Sequence, residues 1–328
     1  MKRWVFVLAS FVLAAGGFGF ACRADEWTVS VPGDTKFVLQ LDIQAFRATA
    51  LGGKLFEIAR NKAKLELSAG DAKGKEPNFD KIHEMLGFDP FAEIQAIVVS
   101  CSDYDRPEES VVVSIRMRKS TGNLEGLILA LPGYEAKEYG KYTIHSASPE
   151  KDVHMFGSIH TDGKGDKTIL FAAQREAVTQ LLDSLDGKPA GDGSFKTIKL
   201  DSEGKPILAL EVLEIPTEMI GDGPQAGVVK VISKVSLRIS ESKGDLNIGI
   251  SLVAGTEQKA EQLRQMAQGL IAMIDFAQSA NPEDQDLKAF QKFAHDIKTA
   301  RDGLSMKVSL SVSAEALNEI IDKQLGDH

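Results

Sequence analysis

Along MKVSLSVS, residues 306–313, the apolar Met306, Val308, Leu310 and Val312 alternate with Lys307, Ser309, Ser311 and Ser313. A period of two sends successive side chains to opposite faces of a strand. DLNIGISLV repeats the pattern with Leu246, Ile248, Ile250 and Leu252. One face of such a sheet is buried and the other is small and polar, as antiparallel sheets allow. Helices are expected to cover the apolar face.

Earlier in the chain, TKFVLQLDIQAF (35–46) alternates and then enters a helical stretch, RATALGGKLFEIARNKAKLEL. EIQAIVVSCS and ESVVVSIRMRKS read as two strands around the turn-rich DYDRPE, followed by a helix over NLEGLILAL. KYTIHSAS, DVHMFGSIHT and KTILFAAQ continue as a meander into the helix REAVTQLLDSL, and the Asp-Gly of TDGKG (161–165) signals a tight hairpin. After the glycine-rich GKPAGDGS (187–194), KPILALEVLEI begins a second series. KVSLRISES and DLNIGISLVAG form a hairpin about Lys243-Gly244, and EQKAEQLRQMAQGLIAMIDFAQ follows as a long helix broken at Asn281-Pro282. A second helix, DLKAFQKFAHDIKTA, precedes the strand LSMKVSLSVS and a last helix, AEALNEIIDKQ.

In the long helix, Leu263, Met266, Leu270, Ile274 and Ala277 recur every three or four residues, a spacing that predicts a core-facing stripe. The alternative is a groove for an apolar ligand. Thr256 and Ser313 stand where N-caps belong.

The two series share a pattern. IVVSCSDYDRPEESVVVSIRMRKSTGNLEGLIL lies beside VSLRISESKGDLNIGISLVAGTEQKAEQLRQMA, and KTILFAAQREAVTQLLDSL beside MKVSLSVSAEALNEIIDKQ. The expected fold is therefore α+β: a largely antiparallel sheet with helices mainly on one face and a pseudo-twofold internal repeat. The repeats would span 25–190 and 191–328, as separate units or as one continuous domain.

Residues 1–24 read as a signal peptide: Lys2 and Arg3 precede an uncharged run from Trp4 to Ala21. Cys22-Arg23-Ala24 offers a cleavage site that would leave Asp25 as the first residue. The alternative is lipoprotein processing with acylation of Cys22, for which only Ala21 and Cys22 fit the usual box. Retention of the run as a membrane helix is a further alternative, weakened by Gly16, Gly17 and Gly19. The protein is thus expected to be exported, periplasmic or extracellular. Membrane association would follow only from acylation of Cys22 or retention of the signal helix.

With Cys22 gone, Cys101 alone remains and no intramolecular disulfide can form, so the core must carry stability. Apolar residues make up 43% of the chain, enough for that task. Cys101 lies in the apolar strand IVVSC and reads as a small buried hydrophobe. The formal charge is −9, and loss of Lys2, Arg3 and Arg23 leaves 35 basic against 47 acidic residues, or −12. Nucleic-acid binding is excluded by that sign and by the absence of a basic cluster.

Candidate chemistry is sparse. IHSASPEKDVHMFGSIH holds His145, His154 and His160, which could meet one zinc ion, with Asp103 or Asp105 as a fourth ligand. The bland alternative is three separate histidines on a polar sheet face. Ile82-His83-Glu84-Met85-Leu86-Gly87 starts like a zinc-peptidase helix but has Gly87 where the second histidine must stand. Neither GDGSF nor FGSIH completes a Gly-x-Ser-x-Gly elbow, and LGGKLF lacks the first glycine and the hydroxyl of a phosphate loop. DGKGDK (162–167) lacks the terminal glutamate of a calcium loop and reads as a hairpin. No catalytic residue and no cofactor is assigned.

VPGDTKFVLQLDIQAFRATALGGKL and the later FDPFAEIQAIVV (88–99) resemble exported bacterial proteins of unknown function whose mature chain opens with Pro-x-Asp-Thr, a strand and an Asp-led helix. The resemblance implies an envelope location and transfers no site residue. The expected function is non-enzymatic, a binding or scaffolding role toward an unidentified envelope protein or ligand. One alternative is lipid or lipoprotein carriage in an apolar groove between sheet and helices. The other is a metal-dependent enzyme built on the three histidines.

Overall fold

The computed structural model describes residues 28–70, 87–118, 128–129, 131–150, 153–189, 193–199, 205–216, 224–280, 294 and 296–318. The N-terminal residues up to 27, with Cys22 and the expected signal peptide, the His83 run up to Leu86, most of the helix expected over 123–131, residues 286–293 and the chain beyond 318 lie outside them. The chain divides into two units, Met1–Asp201 and Ser202–His328.

The first unit opens with β1 (Thr28–Pro32), β2 (Phe37–Asp42), α1 (Ile43–Ala48), α2 (Ala50–Gly70), α3 (Pro90–Glu93), β3 (Ile94–Cys101), α4 (Pro107–Ser110) and β4 (Val111–Met117). It continues through β5 (Glu135–Tyr139), β6 (Tyr142–Glu150), β7 (Val153–Thr161), β8 (Lys167–Ala172), α5 (Arg175–Leu185) and β9 (Phe195–Lys199). Strands β2-β3-β4-β8-β7-β6-β5 are neighbours in that order, every pair antiparallel. β1 pairs with β9 alone. That ladder places β9 in the first unit, so the division falls at Asp201 where the sequence suggested residues 190/191.

The second unit comprises β10 (Lys205–Val212), α6 (Pro224–Val229), β11 (Ile232–Ser242), β12 (Asp245–Ala254), α7 (Glu257–Ala280), β13 (Lys298–Asp302) and β14 (Ser305–Ser313). Its order, β10-β11-β12-β14-β13, is again antiparallel throughout. In the first unit β2-β3-β4 are followed outward by the four-strand meander β8-β7-β6-β5, and in the second β10-β11-β12 are followed by the hairpin β14-β13.

Turn chemistry accounts for the hairpins. Lys243 (φ 56) and Gly244 (φ 83) take the left-handed conformation that a two-residue turn demands. Asp162 Oδ1 accepts the backbone N–H groups of Lys164 and Asp166 at 2.8 and 3.0 Å, which closes the β7–β8 loop. Residues 298–300, expected as the end of a helix, are instead strand. Asp302-Gly303, with Gly303 at φ 58, is a second Asp-Gly turn, and it returns β13 onto β14. The helix caps follow the sequence: Asp42 accepts Ala45 N–H at 2.6 Å, Thr256 accepts Lys259 N–H at 3.2 Å and Ser313 accepts Ala316 N–H at 3.1 Å.

In the second unit the expected arrangement holds, with α7 resting on β12, β13 and β14 over the face that carries Leu252, Met306 and Val308. The first unit uses both faces of its sheet. Val112, Ile144, Leu170 and Ala172 pack against Val178, Leu181 and Leu182 of α5, whereas Ile97, Val113 and Ile169 pack against Ile43 of α1 and Phe56 of α2. Neighbouring residues such as Val112 and Val113 are thus both buried on opposite sides, and β3, β4 and β8 read as continuous apolar runs for that reason. Arg47 ties the second of these layers down: it donates to the Ala92 and Ile94 carbonyls at 3.1 and 2.8 Å and stacks 5.4 Å from the Phe56 ring centre. Burial, with Arg118 nearby, lowers its pKa to about 10.

Leu182, fully buried between α5 and the sheet, is where the first layer is most sensitive to volume. Leu182→Ala is expected to lower the unfolding free energy by about 2–5 kcal/mol. Leu182→Met should cost less than about 1.5 kcal/mol. Urea titration followed by far-UV circular dichroism measures both.

Candidate functional site

The three histidines do not converge. β6 pairs with β7 so that His145 faces Gly157 across the ladder. Paired residues share a face, and an odd number of positions separates Gly157 from both His154 and His160. His145 therefore lies on one side of the sheet and the other two on the opposite side. Those two stand six residues apart on one strand, roughly 20 Å at a rise of about 3.3 Å per residue. Among the described residues, no group of three or more His, Cys, Asp or Glu side chains is placed to hold a metal ion.

Each histidine has local company instead. His145 Nδ1 is hydrogen-bonded with the Tyr134 hydroxyl at 3.0 Å, and exposed His154 with Ser148 Oγ at 3.0 Å. Buried His160 places Nε2 3.6 Å from Asp186 Oδ1 at the C-cap of α5. Asp186 also accepts the Tyr142 hydroxyl at 2.5 Å and pairs with Lys141 at 2.9 Å. The Tyr142 hydrogen bond, followed by Lys141, holds its carboxyl below the usual range against the unfavourable end of the helix dipole. Asp183, one turn earlier, accepts the Tyr139 hydroxyl at 2.8 Å and meets Lys188 at 2.5 Å. These contacts fasten the end of α5 to the β5–β6 hairpin.

Cys101 is buried, its thiol 3.2 Å from the Asp103 carbonyl and 3.3 Å from Ser110 Oγ. Asp103 accepts the backbone N–H groups of Asp105 and Arg106 at 2.9 and 3.4 Å, so it organises the turn. In the second unit Glu211 is fully buried, held by Arg238, by Lys234 at 2.8 Å and by the Ser236 hydroxyl at 2.8 Å. These three partners all stand on neighbouring β11, an arrangement that locks strand register.

Two cavities flank the first turn of α5. One, of about 230 Å³, has Asp34, Glu109, Glu176 and Gln180 among its walls. The other, of about 380 Å³, is bordered by Ile144, Phe156, His154, Lys137, Glu135 and Arg175. Both have charged walls.

The strongest surface feature is on α7. Leu263 and Leu270 stand seven residues apart, within about 20° of each other around the helix. Leu263 is 3% exposed and packs on Met306 and Ala254, yet Leu270 is 63% exposed. Ala260 and Leu263 of α7 are buried, whereas Leu270 is one of a row of exposed apolar side chains. Met266, Met273 and Phe276 are likewise 47%, 67% and 76% exposed. Met266 and Leu270, expected in the core, are therefore corrected to the surface, their side chains lying outside the cluster that Ala260, Leu263 and Ala267 form with the sheet. Met273 and Phe276 escaped the sequence reading. Their signal was the stretch from Gln265 to Ala280, which holds a single charged residue, Asp275. No helix among the described residues is long and apolar enough to cross a membrane.

A comparison with family models finds no match, and neither does one with curated proteins. Among solved structures, crystal form III of TP0453 is similar at 12% identity over 90% of this chain and 98% of that chain, with a TM-score of 0.40. Crystal form IV of TP0453 is similar at 10% identity over 89% and 96%, with a TM-score of 0.41.

Two outcomes follow from this geometry. Leu263→Ala should cost about 2–5 kcal/mol, whereas Leu270→Ala should stay within about 0.5 kcal/mol of the parent in the same urea titration. For Asp186, a folded-state pKa below the unfolded value of about 4 means its stabilising effect is present above that pH and is lost as pH falls through the folded value. Asp186→Asn should therefore be less stable than the parent at pH 7. The gap should close below about pH 4 in thermal melts recorded across the acid range.

Proposed function

We propose that this chain is an exported envelope protein that acts by binding a partner, with no chemistry of its own. The single observation that carries this reading is the uncovered apolar stripe Met266, Leu270, Met273 and Phe276 on α7. Scattered exposed apolar residues are ordinary, but four on one helical segment form a patch of the size that marks interaction sites. Dispersed histidines and buried Cys101 support a non-catalytic role. The charged walls of both cavities speak against lipid carriage. Export to the periplasm or beyond, with the signal segment cut after Ala24, completes the proposal.

A photo-cross-linking amino acid at Phe276, expressed in the native envelope, is expected to give a discrete adduct at one mass. The same probe at exposed Ser309 of β14 should give none. Equal, diffuse labelling from both positions would overturn the assignment. Cell fractionation that found the chain in the cytosol with residues 1–24 intact would overturn the location.

A further inference from the structure

We infer that the exposed stripe Met266, Leu270, Met273 and Phe276 of α7 pairs with the same segment of a second copy of this chain, as an antiparallel two-helix seam. The inference rests on the reading of this stripe as a binding surface and supplies its partner. Leu263, Met266, Leu270, Met273 and Ala277 are spaced three, four, three and four residues apart, the repeat of a helix that packs on another helix. Leu263 spends its place on the chain's own sheet. Met266, Leu270 and Met273 continue the seam into the open.

Charge narrows the choice of occupant. From Gln265 to Ala280 there is no lysine or arginine and one acid, Asp275. Helices that lie on anionic lipid carry basic residues on their polar side, and this segment has none. A partner helix rich in charge would find nothing to pair with. A second copy brings the same uncharged, methionine-rich stripe, and a two-fold axis makes the contact self-complementary. In antiparallel register, Leu270 of one copy meets Met273 of the other and Met266 meets Ala277. Phe276 then falls beside Gly269, where a Cβ would find nothing within 4 Å.

Size is sufficient, though small. At these exposures the four side chains present on the order of 500 Å² per copy, so pairing removes on the order of 1,000 Å² from water, the lower limit for a specific interface. Affinity should accordingly lie in the micromolar range, about 1–100 μM.

Sedimentation equilibrium of the exported protein between about 1 and 100 μM tests this, alone and with neutral phosphatidylcholine vesicles in a parallel flotation assay. The expected result is a concentration-dependent dimer that Leu270→Glu weakens at least about tenfold with circular dichroism unchanged, and that Leu270→Met retains. A protein that stays monomeric at 100 μM overturns the dimer, as does a dimer that Leu270→Glu leaves intact. Monomeric protein that floats with vesicles through Leu270 overturns the dimer but leaves a binding surface. Monomeric protein that neither floats nor cross-links through Phe276 overturns both readings.

Discussion

The structure depends on covering apolar sheet faces without covalent help. Cys101 is the one cysteine among the described residues, and it is buried as a thiol. Stability in each unit therefore comes from helices laid on antiparallel ladders, each fully buried leucine or valine contributing roughly 1.5–3 kcal/mol. The first unit meets this demand twice, with α5 on one face and α1 and α2 on the other. The second meets it once, and only for the length over which α7 touches β12, β13 and β14.

Polar groups in these layers serve the same end. Arg47 saturates carbonyls at the end of α3 and the start of β3, and Glu211 binds three side chains of β11. Asp183 and Asp186 anchor the last turn of α5 to the hairpin that carries Tyr139 and Tyr142. A one-residue slip of β10 against β11 would strand buried Glu211 without its partners, so that carboxylate selects one register over its neighbours.

Helix α7 shows how a uniform sequence pattern acquires two roles. Its apolar repeat runs nearly its full length, and Ala260, Leu263 and Ala267 join the core cluster against Leu252, Met306 and Val308, while Leu270, Met273 and Phe276 are exposed. Beyond them the same repeat becomes surface. An uncharged, methionine-rich helical stripe is adaptable packing material, suited to a weak interface more than to a chemical centre.

The sequence by itself determined the strands, most of their turns and the antiparallel habit, because a period of two and an Asp-Gly or Lys-Gly pair are local signals. It also located the capping residues Thr256 and Ser313, whose hydrogen bonds reach only three positions along the chain. It missed β5, whose EAKEY is an exposed edge with no apolar alternation, and β1 with β9, whose pairing spans most of the first unit. Only the tertiary structure decided that His145 lies across the sheet from His154 and His160, since that depends on ladder register. The same holds for α7: whether Leu270 is core or surface is set by where the neighbouring sheet ends, a property no single segment encodes.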